Sequence, residues 1–107
     1  MIYEHRTYYL NPGRMPVFNE RFKTIIMPLF QKYQMKVVGV WQTAIGQSNE
    51  FTYIVAFDNL GERETKWDVF LKDPEFQHYR ELEQRDGPSL SHIHNKILRP
   101  TDYSPLP

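Results

Sequence analysis

Apolar residues cluster in four short runs that are rich in β-branched and aromatic side chains. Runs of this kind, bounded by turn-forming residues, favour β-strands. The pattern therefore predicts four strands, which cover Ile2–Leu10, Lys36–Ile45, Phe51–Phe57 and Leu90–Leu98. Residues 46–50 join the second strand to the third and have the length and the Gly, Ser and Asn content of a hairpin turn.

Between the first two strands the apolar residues recur every three or four positions, which is typical of one face of a helix. The helix is predicted to begin near Met15, and its apolar side carries Phe18, Phe22, Ile25, Ile26, Leu29 and Tyr33. Pro28 lies inside it, and proline lacks an N–H and clashes with the preceding turn of a helix. We therefore expect a kink or an early end near Ile26.

Two further helices are predicted between the third strand and the fourth. Asp58-Asn59 is the start signal for one, because such side chains cap the free N–H groups of a first turn. Asp73-Pro74 is the start signal for a second, short helix, since proline suits the first helical position. Asp86-Gly87-Pro88 should end that helix.

The resulting order of elements is βαββαβ. In compact domains this order most often forms a ferredoxin-like α+β fold, with an antiparallel sheet in the spatial order 4-1-3-2 and the helices on one face. We expect residues 1–100 to form a single domain. Pro100, Pro105 and Pro107 disfavour a further strand and leave residues 101–107 as an irregular tail.

In strands two and three, apolar residues occupy both the even-numbered and the odd-numbered positions, which point to opposite faces of the sheet. This is the pattern of strands that are buried on both faces. Because the helices of this fold cover one face only, something else must cover the other. A second copy of the chain is the simplest candidate, so the sequence predicts a homodimer through the sheet face.

Charge and cysteine content narrow the range of partners. The chain has 13 basic and 13 acidic residues, so it offers no broad attraction to nucleic acid or to an anionic membrane. The absence of cysteine excludes thiolate nucleophiles and cysteine zinc sites and suits a reducing compartment. No charged and apolar leader precedes the first strand, and no run of about 18 apolar residues occurs. We expect a cytoplasmic protein that binds neither nucleic acid nor membranes.

Several short motifs resemble the NIPSNAP family. They are Tyr3-Glu4 with Arg6-Thr7-Tyr8 and Pro12-Gly13, Val38-Gly39 leading to Trp41, Thr43, Ile45-Gly46 and Asn49, Asp73-Pro74-Glu75-Phe76, and Lys96-Ile97-Leu98-Arg99-Pro100. The likeness extends over almost the whole chain with suitable spacing. His5, where the family tends to have an apolar residue, and Gln42 depart from the pattern, and both lie on strands where they could alter a pocket.

This resemblance implies a dimeric α/β barrel, in which two ferredoxin-like sheets face each other and the helices lie outside. The family has no generally established reaction. Related folds include cofactor-free monooxygenases, isomerases and haem-binding enzymes, so the fold permits chemistry without specifying it.

Glu4 and Arg6 lie two positions apart on the first strand, so their side chains point to the same face. In a central strand that face is covered, and charged residues there need partners. They form either a structural ion pair or the polar wall of a pocket that binds a polar substrate. We expect Arg6 to be buried and paired with Glu4, and we expect Arg6→Ala to cost about 3 to 5 kcal/mol if the pair is structural.

His92 and His94 share one face of the fourth strand and could supply two imidazoles to a divalent metal. A site would need further ligands. Either His5 or, after a shift of one residue in register, Glu4 would be their neighbour on the first strand. Two polar residues near a sheet edge are the alternative, and we expect no bound metal.

Aromatic residues complete the candidate site. Tyr3, Tyr8, Tyr9, Trp41 and Tyr53 could line a cavity with polar groups at its rim, or they could serve core and interface packing. The candidate pocket set is Glu4, Arg6, Tyr8, Trp41, Thr43, His92 and His94.

We expect a dimeric small-molecule-binding or interaction domain of undetermined biochemical role, without a cofactor. The alternative is a cofactor-independent monooxygenase or isomerase acting on an aromatic or polyketide-like compound, and a third possibility is a structural partner for the product of a neighbouring gene. A closed cavity between sheet and helices, with Arg6 or a histidine beside Tyr and Trp side chains, would favour the enzyme. A filled interior would favour an interaction protein.

Overall fold

The computed structural model describes residues 1–107 and confirms the predicted sheet. Its strands are β1 (Ile2–Leu10), β2 (Lys36–Gln42), β3 (Glu50–Phe57) and β4 (Leu90–Leu98). They form one sheet in the order β2-β3-β1-β4, with every neighbouring pair antiparallel. This is the predicted order 4-1-3-2 read from the other edge, so the α+β ferredoxin-like fold is confirmed.

The predicted end of β2 at Ile45 is wrong, because the ladder closes three residues earlier. The Thr43 backbone N–H donates to the Glu50 carbonyl at 3.1 Å. Beyond it, Gly46 (φ 140°) and Asn49 (φ 60°) take left-handed conformations that turn the chain back into β3. Ile45 is consequently almost fully exposed.

A kink or an early end of the first helix was predicted near Ile26, and the structure shows an irregular turn at this place without an end of the helix. It comprises α1 (Met15–Arg21), a π-helical turn (Phe22–Ile26) and α2 (Met27–Lys32). In the π-helical turn the Met27 N–H donates to the Phe22 carbonyl, five residues back. The wider turn lies directly before Pro28, which has no N–H to donate, so the helix continues past the proline instead of stopping.

The second pair of helices follows the predicted start signals. Helix α3 (Leu60–Lys72) is capped by the Asn59 side chain, which accepts from the Glu62 N–H at 2.8 Å. Helix α4 (Pro74–Asp86) is capped by Asp73 and ended by Gly87, whose φ is 89°. At 13 residues α4 is not the short helix that was predicted. No helix of the structure combines the length and the apolar character that crossing a membrane requires.

The core lies between one sheet face and the helices and is dominated by aromatic rings. On β1 the even-numbered residues point to this helix-covered face, while the odd-numbered residues point to the opposite, open face. Seven rings of the core are at most 4% exposed, namely Phe18, Phe22, Phe30, Phe51, Tyr53, Phe57 and Phe70. Many of them pack edge to face, which is a favoured geometry for aromatic pairs.

The C-terminal tail covers one end of the open face. The Tyr3 hydroxyl donates to the Pro107 carbonyl, and Leu106 lies beside Tyr3, Ile54 and Leu98. The tail has no helix or strand. Outside this end, the open face has no covering element in the single chain.

Strand β2 does not show the burial on both faces that its sequence predicted. It forms one edge of the sheet, and Val38, Val40 and Trp41 are exposed by a third to a half. On the open face the Trp41 indole lies against Gly39, where an added Cβ would come within 2.5 Å of the ring. The glycine therefore allows the indole to lie flat on this face. By contrast, the central strand β3 is largely buried.

Candidate functional site

A fully buried carboxylate, Glu4, is the centre of the most polar region inside the protein. Its Oε1 accepts from Arg63 Nε at 2.9 Å and from Trp67 Nε1 at 2.7 Å. Its Oε2 accepts from Arg6 Nη1 and Arg63 Nη2, both at 3.0 Å, and from Asn95 Nδ2 at 3.1 Å. Five donors thus satisfy one carboxylate, as burial of a charge requires.

Three elements bring these donors together. Arg6 lies two residues after Glu4 on the same face of β1. Asn95 on β4 is the register partner of Arg6. Arg63 and Trp67 are one turn apart on α3, so both side chains point toward the sheet. The predicted pairing of Arg6 with Glu4 is confirmed. Sequence reasoning missed the other three residues of the cluster, and the four-residue spacing of Arg63 and Trp67 on α3 was the only available signal.

The hydrogen bonds decide the charge of Glu4. Burial by itself would raise the pKa of this carboxyl, but donation from Arg63, Trp67 and Asn95 outweighs burial and lowers the pKa to about 2. Likewise, burial would lower the pKa of Arg6, whereas Tyr53, Tyr8 and Glu4 raise it. At neutral pH the cluster therefore holds one negative and two positive charges.

The structure lowers the expected cost of removing Arg6. The sequence predicted that Arg6→Ala would strand the carboxylate at about 3 to 5 kcal/mol. In the structure Glu4 keeps four of its five hydrogen bonds without Arg6, two of them from Arg63. The loss should therefore fall to about 1 to 2 kcal/mol, the value of one charge-assisted hydrogen bond with its packing.

Beside this cluster, a cavity of about 240 Å³ lies between the sheet and the helices. Its walls are mainly aromatic and include Phe18, Phe22, Trp67, Phe70, Phe76 and Tyr79. Arg6, Arg80, Tyr8 and Tyr53 contribute polar groups to its lining.

Arg6 keeps donor capacity toward this cavity. Its Nη1 is used by Glu4 and its Nε donates to the Tyr8 hydroxyl at 3.3 Å. Its Nη2 makes no hydrogen bond within the protein, and its side chain retains 18% exposure. A guanidinium with free N–H groups in an aromatic cavity is suited to an anionic oxygen.

Phenol groups in the wall of this cavity supply hydrogen-bonding hydroxyls. The Tyr8 and Tyr53 hydroxyls are 2.8 Å apart. Burial raises the pKa of Tyr53 well above its ordinary value, and burial also raises the pKa of Tyr79. The Tyr53 and Tyr79 hydroxyls therefore stay protonated at neutral pH and can donate to a ligand oxygen.

A second, partly buried network holds the wall of the cavity that α4 provides. Arg21 on α1 pairs with Glu83 and Asp86 on α4. Glu83 also accepts from the Ser89 N–H at 3.1 Å and from its hydroxyl at 2.9 Å. The network ties α4 to α1 and to the start of β4, and so fixes the position of Phe76 and Tyr79.

The predicted pocket residues do not form one site. Glu4, Arg6 and Tyr8 lie together on the helix-covered face. Trp41, His92 and His94 lie on the open face, on the other side of the sheet. Thr43 is in the hairpin, where its hydroxyl donates to Glu50 at 2.6 Å.

The aromatic residues that were predicted to line a cavity are divided in the same way. Tyr8 and Tyr53 line it, while Tyr3, Tyr9 and Trp41 are on the open face. The tryptophan beside the cavity is Trp67. The sequence analysis did not include Trp67 among the pocket residues.

The register settles which residue of β1 lies beside the histidines. Thr7 is opposite His94 and Tyr9 is opposite His92, so His5 shares their face and Glu4 does not. No three histidine, aspartate or glutamate side chains of the structure converge in a way that could hold a metal ion.

We predict that the purified protein contains no stoichiometric zinc, iron, nickel or copper, because a histidine pair without a third ligand holds such ions weakly. Elemental analysis of untagged protein measures this directly. About one equivalent of metal that disappears in His94→Ala would contradict the prediction.

Comparison with known proteins identifies the family to which the sequence and the fold belong. The NIPSNAP family model matches residues 3–105. NipSnap homolog 3B of Mus musculus is 30% identical over 76 residues, which are 70% of this chain and 30% of that protein. The chain therefore spans about a third of the length of this relative.

Solved structures give the same picture. A NIPSNAP family protein of unknown function from Agrobacterium tumefaciens is 27% identical, with a TM-score of 0.87 over 99% of this chain and 93% of its own. A putative antibiotic biosynthesis monooxygenase from Nitrosomonas europaea has a TM-score of 0.67 over 94% of this chain and 98% of its own at 9% identity, a likeness of fold alone. Since the family model covers nearly all of its residues, the chain belongs to the NIPSNAP family.

Proposed function

We propose that this chain is a small-molecule-binding protein whose ligand is an aromatic compound with an anionic oxygen. The observation that carries the proposal is the aromatic cavity with the free Nη2 of Arg6 in its polar surface. An apolar pocket with a few convergent polar groups is the usual form of a ligand site. Because the interior is not filled, a purely structural role is less well supported.

The dimensions of the cavity limit the ligand. Its volume of about 240 Å³ lies just below the usual range for drug-sized ligands, which favours a compound of about two fused rings. Phe70, Phe76 and Tyr79 offer ring faces and edges for stacking. Arg80 lies at the cavity wall over the Phe76 ring at 5.0 Å and adds a second positive charge.

Charge favours an anion over a neutral ligand. Glu4 neutralises only one of the two guanidinium groups that it contacts, and none of the residues lining the cavity is acidic. A carboxylate or phenolate next to Arg6 would therefore gain a charge-assisted hydrogen bond in a partly dry environment.

Calorimetric titration with 1-naphthoate and its neutral analogue 1-naphthamide tests this proposal. We expect the carboxylate to bind with one ligand per chain and roughly 10- to 100-fold more tightly than the amide, the value of one hydrogen bond to a charged group. Equal affinity for the two compounds, or binding of neither, would contradict it.

A second candidate is a cofactor-independent oxygenase or isomerase. Arg6 lies beside Tyr8 and Trp67 in the cavity, an arrangement expected to favour an enzyme, and these donors could stabilise an enolate or phenolate. Such an enzyme would need a general base, and Glu4 is poorly suited to this role because it already accepts five hydrogen bonds and has a pKa of about 2. Uptake of O₂ with anthrone, which O₂ oxidises to anthraquinone and water, would support it.

We also propose that two copies pair through their open sheet faces. The strands are up to nine residues long and about 4.8 Å apart, so this face has an area of roughly 500 Å² in each copy. The area buried on both copies together would lie near the lower limit for specific interfaces. The exposed Trp41 and Leu98 supply apolar contacts on it.

Light scattering after size exclusion should therefore give the mass of a dimer at micromolar concentration. Gly39→Ala should weaken the dimer, because its Cβ would lift the Trp41 indole from the face. A monomeric wild-type protein would contradict the pairing and would leave the tail as the only cover of the open face.

A cytoplasmic location is part of the same proposal. It is supported by the composition, which lacks cysteine and so suits a reducing compartment. Fractionation of the source cells tests it, and recovery in a membrane fraction would contradict it.

A further inference from the structure

We infer that the open sheet face is a pH-sensitive self-association surface, on which protonation of His5, His92 and His94 separates the two copies. The inference rests on the proposed pairing of the open faces and adds a regulation to it. Three of the four histidines of the chain lie on this one face.

Aromatic contacts hold two of these histidines in a cluster. The Tyr9 ring stacks on His92 at 4.4 Å and meets His94 edge-on at 5.3 Å. The two imidazoles are 5.4 Å apart. His5 lies in the same groove as Tyr9 and His94. Because all of these rings retain solvent exposure in the single chain, they would be contact groups in a paired face.

The other charged groups of this face are two lysines and two carboxylates, and only the lysine Lys96 lies beside the histidines. Lys96 on β4 is the register partner of His5, and Lys36 on β2 is opposite Ala56 at the far end of the sheet. The strands contribute one carboxylate, Glu50 on β3, which is opposite Tyr9 and already accepts from Thr43. The tail packed on the face contributes the exposed Asp102. The groove around His5 and His94 has no acidic residue in its lining.

Symmetric pairing doubles each of these charges within one interface. Two copies related by a twofold axis present the same patch to each other, so three imidazoles become six. Histidine is the side chain that changes charge between about pH 5 and pH 8, and like charges closer than about 8 Å are little screened. Neutral imidazoles allow the rings to pack, whereas imidazolium groups beside Lys96 oppose pairing.

The cavity provides an independent measurement, because it lies on the other side of the sheet from the histidines. Loss of pairing at low pH can therefore be told apart from damage to the cavity by measuring ligand binding to the cavity at the same pH. Circular dichroism at each pH verifies that the chain remains folded.

The experiment is sedimentation of the full chain at about pH 8 and about pH 5, at constant ionic strength. We expect the dimer dissociation constant of the wild type to rise roughly tenfold or more at the lower pH. Combined replacement His5→Gln, His92→Gln and His94→Gln should remove this dependence. The matched control is His78→Gln, on α4 and away from the face, which should behave as the wild type.

Two results would overturn the inference while leaving the dimer intact. One is an equal dissociation constant at both pH values, and the other is an unchanged pH dependence in the triple variant. A monomer at about pH 8 would overturn both the inference and the proposed pairing, and it would leave the proposal for the cavity standing.

Discussion

Replacing Glu4 with glutamine is expected to lower the free energy of unfolding by about 3 to 5 kcal/mol. The substitution keeps the shape of the side chain but leaves Arg6 and Arg63 without the carboxylate that both of them contact. It also turns one acceptor oxygen into an N–H donor that faces other donors.

The stabilisation by the Glu4 carboxylate should also be visible in the pH dependence of the free energy of unfolding. The Glu4 pKa of about 2 lies below the ordinary value of 4.5, so the folded state resists protonation of this carboxyl. Its contribution, about 3 kcal/mol, is complete above about pH 4.5 and disappears as the pH falls toward 2. Asp73 and Asp86 also have pKa values of about 2, so the difference between wild type and Glu4→Gln isolates the contribution of Glu4.

Chemical denaturation of wild type, Glu4→Gln and the control Glu81→Gln measures these effects. Glu81 is exposed on α4 and has no ion pair, so its replacement should change stability by less than about 0.5 kcal/mol. A Glu4→Gln protein as stable as the control would show that the buried cluster does not stabilise the fold.

Arg6→Met should have its largest effect on ligand binding rather than on folding. Methionine keeps much of the apolar stem and removes the free Nη2 donor. Because Glu4 retains Arg63, Trp67 and Asn95, the protein should remain folded. We expect the affinity for 1-naphthoate to fall roughly 10- to 100-fold while that for 1-naphthamide changes little.

Arg99→Met is the matched control for this experiment. Arg99 lies beside Ile2, Leu60 and Ile97, on the same sheet face but outside the cavity. Its removal takes the same charge from the protein without touching the proposed site. Equal loss of naphthoate affinity in the two variants would mean that net charge, and not a contact with Arg6, attracts the ligand.

The strands could be predicted because their signal is local. Alternating and continuous apolar runs gave the bounds of β1 and β4 as the structure has them. The end of β2 could not be placed, since Thr43-Ala44-Ile45 is as β-prone as the strand before it. The π-helical turn before Pro28 is a response of the backbone to one residue, and the sequence showed only the need for some adjustment.

Of the polar cluster, only the pairing of Glu4 with Arg6 could be predicted from the sequence. Glu4 and Arg6 share a face by the geometry of a strand. Arg63, Trp67 and Asn95 come from positions 59, 63 and 91 residues beyond Glu4. Their contact with Glu4 depends on the rotation of α3 above the sheet and on the register of β4, neither of which a sequence pattern determines.

The cavity should bind an anionic aromatic ligand through Arg6, and a crystal structure of the complex with 1-naphthoate is the sharpest test. We expect the ring system between Phe70, Phe76 and Tyr79, with a carboxylate oxygen about 2.7 to 2.9 Å from a nitrogen of Arg6. Naphthoate bound elsewhere, such as on the histidine-rich open face, with the cavity empty, would contradict the claim.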